Sequence, residues 1–281
     1  MKARVRFGPA GVPIQCKGSS TLEGVKCCKE LGLDAMEMEF VQGVRLKKKS
    51  AEEIGKTAEE LDISLSSHAP YFINFCSKDK TKITTSARNL KQAAEITDAA
   101  GGWITVFHPG YYQGQTKEEA YKAALKNIRD VASWANGKKI KTLLGAETVG
   151  KKSQFGGFDE VIRLSKAIKN VVPVLDFAHL HARGDFKFKT ADDYRKMFDI
   201  LEKELKGYVK NFHFHFSEIE YGEKGERHHL VLGEKNEPPF KPLLRVIMEN
   251  GYSGTIICET PEIDRDAQKM QKEYNKMVKK K

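Results

Sequence analysis

Phe212–His213–Phe214–His215–Phe216–Ser217–Glu218 alternates imidazole and phenyl residue by residue. In an extended chain successive side chains point to opposite faces. Both histidines therefore face one side, and the three rings face the other, toward covering helices. A strand that hides aromatic rings on one face and titratable groups on the other belongs to a sheet wrapped around a polar centre.

Similar runs recur along the chain. Strands are predicted at Ala3–Gly8, Ala35–Val41, Ser64–Ala69, Trp103–His108, Thr142–Thr148, Val172–Phe177, Asn211–Ser217 and Thr255–Thr260. Helical patterns follow at Thr21–Leu31, Ala51–Leu61, Ile83–Ala100, Lys117–Asn136, Phe158–Ile168, Ala191–Leu205, Pro239–Asn250 and Asp264–Val278. Ser50 with Glu53, and Thr116 with Glu119, read as helix starts; Gly32, Gly101 and Gly251 read as stops. Eight strand-then-helix units with no linker or low-complexity break predict one α/β domain over residues 1–281, a (β/α)8 TIM barrel. An open doubly wound sheet is disfavoured, because no GxGxxG follows the first strand.

The 281-residue length suits this fold, since such barrels commonly run to about 250 residues as one domain. Hydrophobic residues make up 40% and charged ones 31%, as in a globular protein, and no apolar run approaches the roughly 20 residues of a membrane span. The first residues, MKARVRFGPAG, alternate like a strand and lack a signal peptide's apolar stretch, so a cytoplasmic location is expected. Five cysteines with no CxxC spacing argue against a disulfide framework and against cysteine-held zinc, and predict idle thiols. The net charge of +10 favours a polyanionic partner, although lysine clusters such as Lys47 to Lys49 are also ordinary surface.

In a barrel, residues at the carboxyl ends of the strands surround one opening. His68 ends the third strand, His108 the fourth, Glu147 the fifth, Asp176 the sixth, His215 the seventh and Glu259 the eighth. His179, three residues beyond Asp176, extends the site sideways, as do Glu226 and His228 if ERHH (226–229) is extended. A lone buried histidine is usually a core residue, and His181, His213 and His229 are read as supporting or surface groups. For the strand-end set, burying several carboxylates in one mouth without cations would cost several kcal/mol per ion, so divalent metal is the expected remedy.

The motifs HAPYFIN (68–74), FHPG (107–110), AET (146–148) with Gly150, Ser153 and Gly156, DFAHLHARG (176–184), HFS (215–217), ERHH, LGE (232–234) and ETP (259–261) resemble, in order, those of endonuclease IV, the zinc-dependent apurinic/apyrimidinic endonuclease. The resemblance implies a three-ion centre of Zn2+, with Mn2+ admissible at some positions. His68, His108 and Glu147 would hold one ion; Glu147, Asp176, His215 and Glu259 a second; His179, Glu226 and His228 a third. It implies DNA-repair hydrolysis of the phosphodiester 5′ to an abasic site in double-stranded DNA, leaving a 3′-hydroxyl, with Glu147 as the catalytic residue that orients or deprotonates the attacking water. Tyr71, Arg45 and Arg227 match positions that approach DNA, and the family habit is monomeric.

The chain departs from the pattern where Glu226 replaces the usual Asp, where the first strand lacks the family's histidine, and where KNEPPF (235–240) replaces a glycine-rich turn. A divalent-metal sugar isomerase or epimerase is the rival reading, since Glu147, Asp176, His215 and Glu259 alone would serve it. That reading leaves His68, His108, His179, Glu226 and His228 unexplained. A nucleic-acid-binding protein without catalysis accounts for the charge but for none of the ligand-type residues.

Overall fold

A computed structural model describes residues 4–16, 18 and 20–279. Eight parallel strands form the central sheet: β1 Val5–Pro9, β2 Ala35–Glu39, β3 Ser64–His68, β4 Ile104–Phe107, β5 Leu143–Glu147, β6 Val171–Asp176, β7 Phe212–Phe216 and β8 Gly254–Cys258. Neighbours follow chain order from β2 round to β8, and β8 pairs with β1. The last seam, β1 to β2, closes through Asp34 N to Phe7 O at 3.0 Å and Gly11 N to Glu37 O at 2.9 Å. Gly8 makes that seam possible, because a Cβ there would lie 2.0 Å from the Ala35 carbonyl oxygen. The sequence reading of a (β/α)8 barrel holds; the Ala3 end of its first predicted strand lies outside the described residues.

Nine α-helices are present among the described residues: α1 Thr21–Glu30, α2 Lys48–Leu61, α3 Lys80–Ala99, α4 Lys117–Gly137, α5 Phe158–Ala167, α6 Phe177–Arg183, α7 Ala191–Glu204, α8 Phe240–Asn250 and α9 Ile263–Val278. Thr116 and Glu119 form the predicted reciprocal cap at the start of α4. Ser50 does not cap α2, which begins two residues before it, at Lys48. The short α6 is additional to the eight predicted helices, and it turns directly off β6 because the Asp176 carboxylate accepts from the His179 backbone N–H at 2.6 Å.

The cores reflect the alternation quoted first. Phe212, Phe214 and Phe216 of β7 are fully buried outside the barrel wall, with Phe214 packed on Phe177 and Phe198, and Phe216 on Phe240. Burying side chains of this size stabilises the fold by roughly 1.5–3 kcal/mol each. The opposite face of β7 carries His213 and His215, also fully buried.

Two antiparallel ribbons cover the carboxyl end of the barrel. Gly110–Tyr111 pairs with Gln154–Phe155, and Glu218–Gly222 pairs with Gly225–Leu230. Neither ribbon has a regular place in the strand-helix repeat. The cysteine reading needs one correction: Cys16 and Cys27 form a disulfide, while Cys28, Cys76 and Cys258 are buried free thiols. The 3-10 turn Ile14–Cys16 folds back beside α1 and brings together two cysteines 11 residues apart, which motif spacing alone does not show. No helix among the described residues is long and apolar enough to cross a membrane.

Candidate metal centre

The strand ends converge at the covered mouth. Glu147, the last residue of β5, lies at the centre with its side chain fully buried. Its Oε2 is 2.9 Å from His68 Nε2 and 3.1 Å from His108 Nε2. Its Oε1 is 3.3 Å from His179 Nδ1 and 3.4 Å from His215 Nδ1. One carboxylate thus faces four imidazoles, two on each oxygen.

His215 Nδ1 also lies 3.1 Å from Glu259 Oε1, and its Nε2 lies 2.9 Å from Glu37 Oε1 on the side away from the mouth. Asp176, at the end of β6, has one oxygen committed to the α6 cap while the other lies 3.7 Å from His179 Nδ1. On the far side His179 Nε2 is 3.5 Å from Glu226 Oε2 and 3.3 Å from His229 Nε2.

Ligand-type atoms within 4.8 Å of one another fall into four groups. One is His68, His108 and Glu147; the next is Glu147, Asp176, His215 and Glu259; a third is Asp176, His179 and His229; the last is Glu37, His213 and His215. The first three form a chain, joined by Glu147 and then by Asp176. Glu147 Oε1, Asp176 Oδ2 and His215 Nδ1 are buried without a hydrogen-bond partner. Carboxylate and imidazole acceptors left open toward a common point are what divalent metal ions require, so the residues fit such ions.

Electrostatics follow from this crowding. Burial alone would raise the Glu147 carboxyl, but His108, His215 and the bonds to its imidazoles hold it well below the usual carboxylate range. Burial pushes Asp176 up to about 6 against the pull of His179. Burial works against the charged form of His68, yet the bond to Glu147 and nearby carboxylates raise it to about 10. Glu259 is brought down to about 2, because His215 outweighs its burial.

His228 requires a correction. Plain alternation predicts that Glu226 and His228 share a face. The ribbon pairs Tyr221 with Glu226 and Glu220 with His228, which leaves Arg227 unmatched as a bulge. An extra residue in one strand reverses the alternation beyond it. His228 therefore points to solvent, and His229 takes the inward place beside His179. Glu226 lies at the edge of the cluster, its Oε2 3.5 Å from His179 Nε2.

The remaining predicted residues are distributed as follows. Tyr71 sits over the cluster, its ring centroid 4.8 Å from that of His68 and 5.4 Å from that of His108. Arg45 is exposed on the loop after β2, lining a separate groove, and Arg227 is exposed at the ribbon bulge; neither joins the cluster. His213 and His181 are buried away from the mouth, His213 with Nε2 2.8 Å from Glu37 Oε2 and His181 beside the Tyr221 ring.

Two residues were missed altogether, Glu37 and Glu39 of β2. Their signal was present in AMEME (35–39), where acidic residues alternate with buried methionines as the histidines of β7 alternate with phenylalanines. Glu37 Oε2 also accepts a bond from Ser66 Oγ at 2.7 Å. Burial pushes the Glu39 carboxyl up to about 8.

The mouth is a pocket of about 250 Å³ lined by Tyr71, His108, Tyr111, Lys151, Gln154, His179, Glu226, His229 and Glu259. Among proteins of known sequence, an uncharacterized protein of Methanocaldococcus jannaschii, MJ0133, is 36% identical over 275 residues, which span 96% of this chain and 97% of that one. A probable endonuclease 4 of Aquifex aeolicus is 28% identical over 204 residues, 69% of this chain and 70% of its own. A D-tagatose 3-epimerase-like protein superposes with a TM-score of 0.74 over 98% of both chains at 20% identity, which speaks for the fold alone. The family description "Xylose isomerase-like TIM barrel" matches residues 25–280, and the chain belongs to that family.

Proposed function

We propose that the protein is a metal-dependent phosphodiesterase that cuts double-stranded DNA on the 5′ side of an abasic site. The observation that carries this reading is the chain of three ligand groups joined through Glu147 and Asp176. A single divalent ion would need only Glu147, Asp176, His215 and Glu259; the groups on either side of that quartet have no role in one-ion sugar chemistry.

Zn2+ or similar ions bound there would supply Lewis acidity and a lowered water pKa. His68, His108 and Glu147 would hold one ion, Glu147, Asp176, His215 and Glu259 a second, and His179, His229 and Glu226 a third. Glu147, kept ionised by its imidazole neighbours, would orient the attacking water and draw on its proton. Lys151 on the pocket wall offers a cation to the phosphate, and Tyr71 offers a ring face at the opposite edge. A pocket of about 250 Å³ suits a sugar and its phosphate with little room for a base. A missing base also lowers the cost of turning that sugar out of the helix. The net charge of +10 favours encounter with DNA.

The test is incubation of the metal-loaded protein with a duplex carrying one abasic site, beside Glu147→Gln and a chelated control. Metal-dependent incision 5′ to the lesion, lost in both controls, supports the reading. The quartet Glu147, Asp176, His215 and Glu259 keeps a divalent-metal sugar isomerase or epimerase as the second reading. Conversion of a ketose or aldose without incision would replace the first reading with that one.

A further inference from the structure

Helix α6 carries two unlike groups one turn apart, which places them on one face. His179 reaches into the ligand cluster, and Arg183 is buried behind it. The charge of Arg183 has Asp185 at 3.7 Å and Glu160 at 4.0 Å, but its hydrogen bonds go elsewhere. Its Nη1 donates to the Lys151 carbonyl at 2.6 Å and to the Gln154 carbonyl at 3.0 Å, and its Nη2 to the Tyr112 hydroxyl at 3.1 Å. Lys151 and Gln154 are the first and last residues of one tight turn, closed by Gln154 N to Lys151 O at 3.0 Å. One guanidinium nitrogen thus holds both ends of that turn, and Tyr112 N steadies its middle at Ser153 O.

Both end residues of the turn line the mouth pocket. The Lys151 ammonium makes no ion pair among the described residues, and the Gln154 amide, on a residue only 7% exposed, makes no hydrogen bond among them. Two donors left open on one wall of a pocket suit an anion. A guanidinium is costly to bury, and its rigid fork of donors is the reason to bury one where a geometry has to be fixed. We propose that the turn Lys151 to Gln154 is the cradle for the substrate's phosphate, and that Arg183 is the positioning residue that sets its distance from the ligands on α6. The proposal rests on the phosphodiesterase reading given above. Phosphate oxygens accept from Lys151 Nζ and Gln154 Nε2, and Arg183 itself touches no substrate.

The test is a double-mutant cycle on the metal-loaded protein with Arg183→Lys, Lys151→Met and the two combined, read as kcat and KM on a duplex carrying one abasic site. Arg183→Lys keeps the charge and loses the fork. Each single change is expected to lower kcat/KM by about 10–100-fold, the range for a hydrogen bond to a charged group. The combined variant is expected to lose no more than Lys151→Met alone, because Arg183 acts through the turn that carries Lys151. If Arg183→Lys does not fold, Tyr112→Phe, which frees the other arm of the fork, enters the same cycle with a smaller effect of the same kind.

A purely structural role predicts losses that multiply in the combined variant, together with a lower Tm, and that result overturns the proposal while the nuclease reading stands. Unchanged kinetics in Arg183→Lys overturns it as well. Inorganic phosphate titrated calorimetrically into the same proteins gives a second readout that needs no incision. Its affinity is expected to fall about tenfold in each single variant and no further in the combined one. If the intact protein cuts no duplex, the nuclease reading fails and this titration still decides the cradle: multiplied losses, or no loss, overturn it.

Discussion

Gly150→Ala is expected to disable one part of the candidate metal centre without replacing any ligand-type residue. A Cβ at this position would lie 2.6 Å from Glu226 Cβ, 2.7 Å from Glu226 Oε2 and 3.0 Å from His179 Cδ2. Ordinary van der Waals contact begins at 3.4 Å, so the ribbon and the loop must part by about 0.8 Å. The obstacle is a Cβ atom, which no side-chain rotation can clear. Nor is the ribbon free to ride away, because Glu226 N donates to Gly150 O at 3.2 Å and Lys151 is bridged to Gly225. The displacement therefore falls on the alignment of Glu226 and His229 with His179. Supports of metal ligands are worth about 10–100-fold in affinity, and a shift near 1 Å costs about a hundredfold in rate. Metal content after dialysis against graded chelator should show one ion released at about 10–100-fold lower chelator concentration, with the other two held as in the unaltered protein. Release of all ions alike with a lower Tm, or no change in release, would refute the reasoning.

Four further outcomes are expected. His229→Ala should lower the metal count by one, whereas His228→Ala leaves it unchanged; equal losses would contradict the bulge at Arg227. Glu37→Gln removes the anion 2.8 and 2.9 Å from His213 and His215, and should weaken ion binding at the His215 quartet by about 10–100-fold in a metal titration. In the metal-free protein the raised pKa of His68 gives stability that is complete below pH 6.5 and lost as pH rises through about 10. The Tm should accordingly fall across that window and fall less in His68→Gln, as calorimetry would show. Opening the Cys16–Cys27 disulfide should cost about 2–3 kcal/mol for a loop of this length, measured as a drop in denaturant midpoint with reductant or in Cys16→Ser.

The barrel was legible because its signals are local. The alternation of Phe212 to Phe216, the Thr116–Glu119 cap and the acidic or imidazole residue at six of the eight predicted strand ends depend on neighbours a few positions away. The errors lie where distant chain segments decide. His228 and His229 cannot be told apart within ERHH, because the bulge depends on pairing with Glu218–Gly222 and on the fit of Gly225 against Gly150, where an added Cβ would stand 2.2 Å from the Gly150 oxygen. The cysteine pair depends on a 3-10 turn that folds onto α1. Glu37 and Glu39 are a different case: AMEME carried the information, but two glutamates in a strand next to lysine-rich sequence resemble a solvated face until the barrel is closed.

The choice between the two chemistries comes down to the ribbon Glu218–Leu230. The quartet Glu147, Asp176, His215 and Glu259 is built wholly from barrel strand ends, and it fits one ion in either a sugar-converting enzyme or a nuclease. His68 and His108 also come from strand ends and extend the quartet on one side. The other side exists only because the ribbon carries Glu226 and His229 over His179, an arrangement fixed by the Gly150–Gly225 contact and the bulge at Arg227. It follows that replacing both Glu226 and His229 with alanine should leave the quartet able to bind its ion while abolishing incision, and retention of incision would remove the main reason for preferring a three-ion phosphodiesterase.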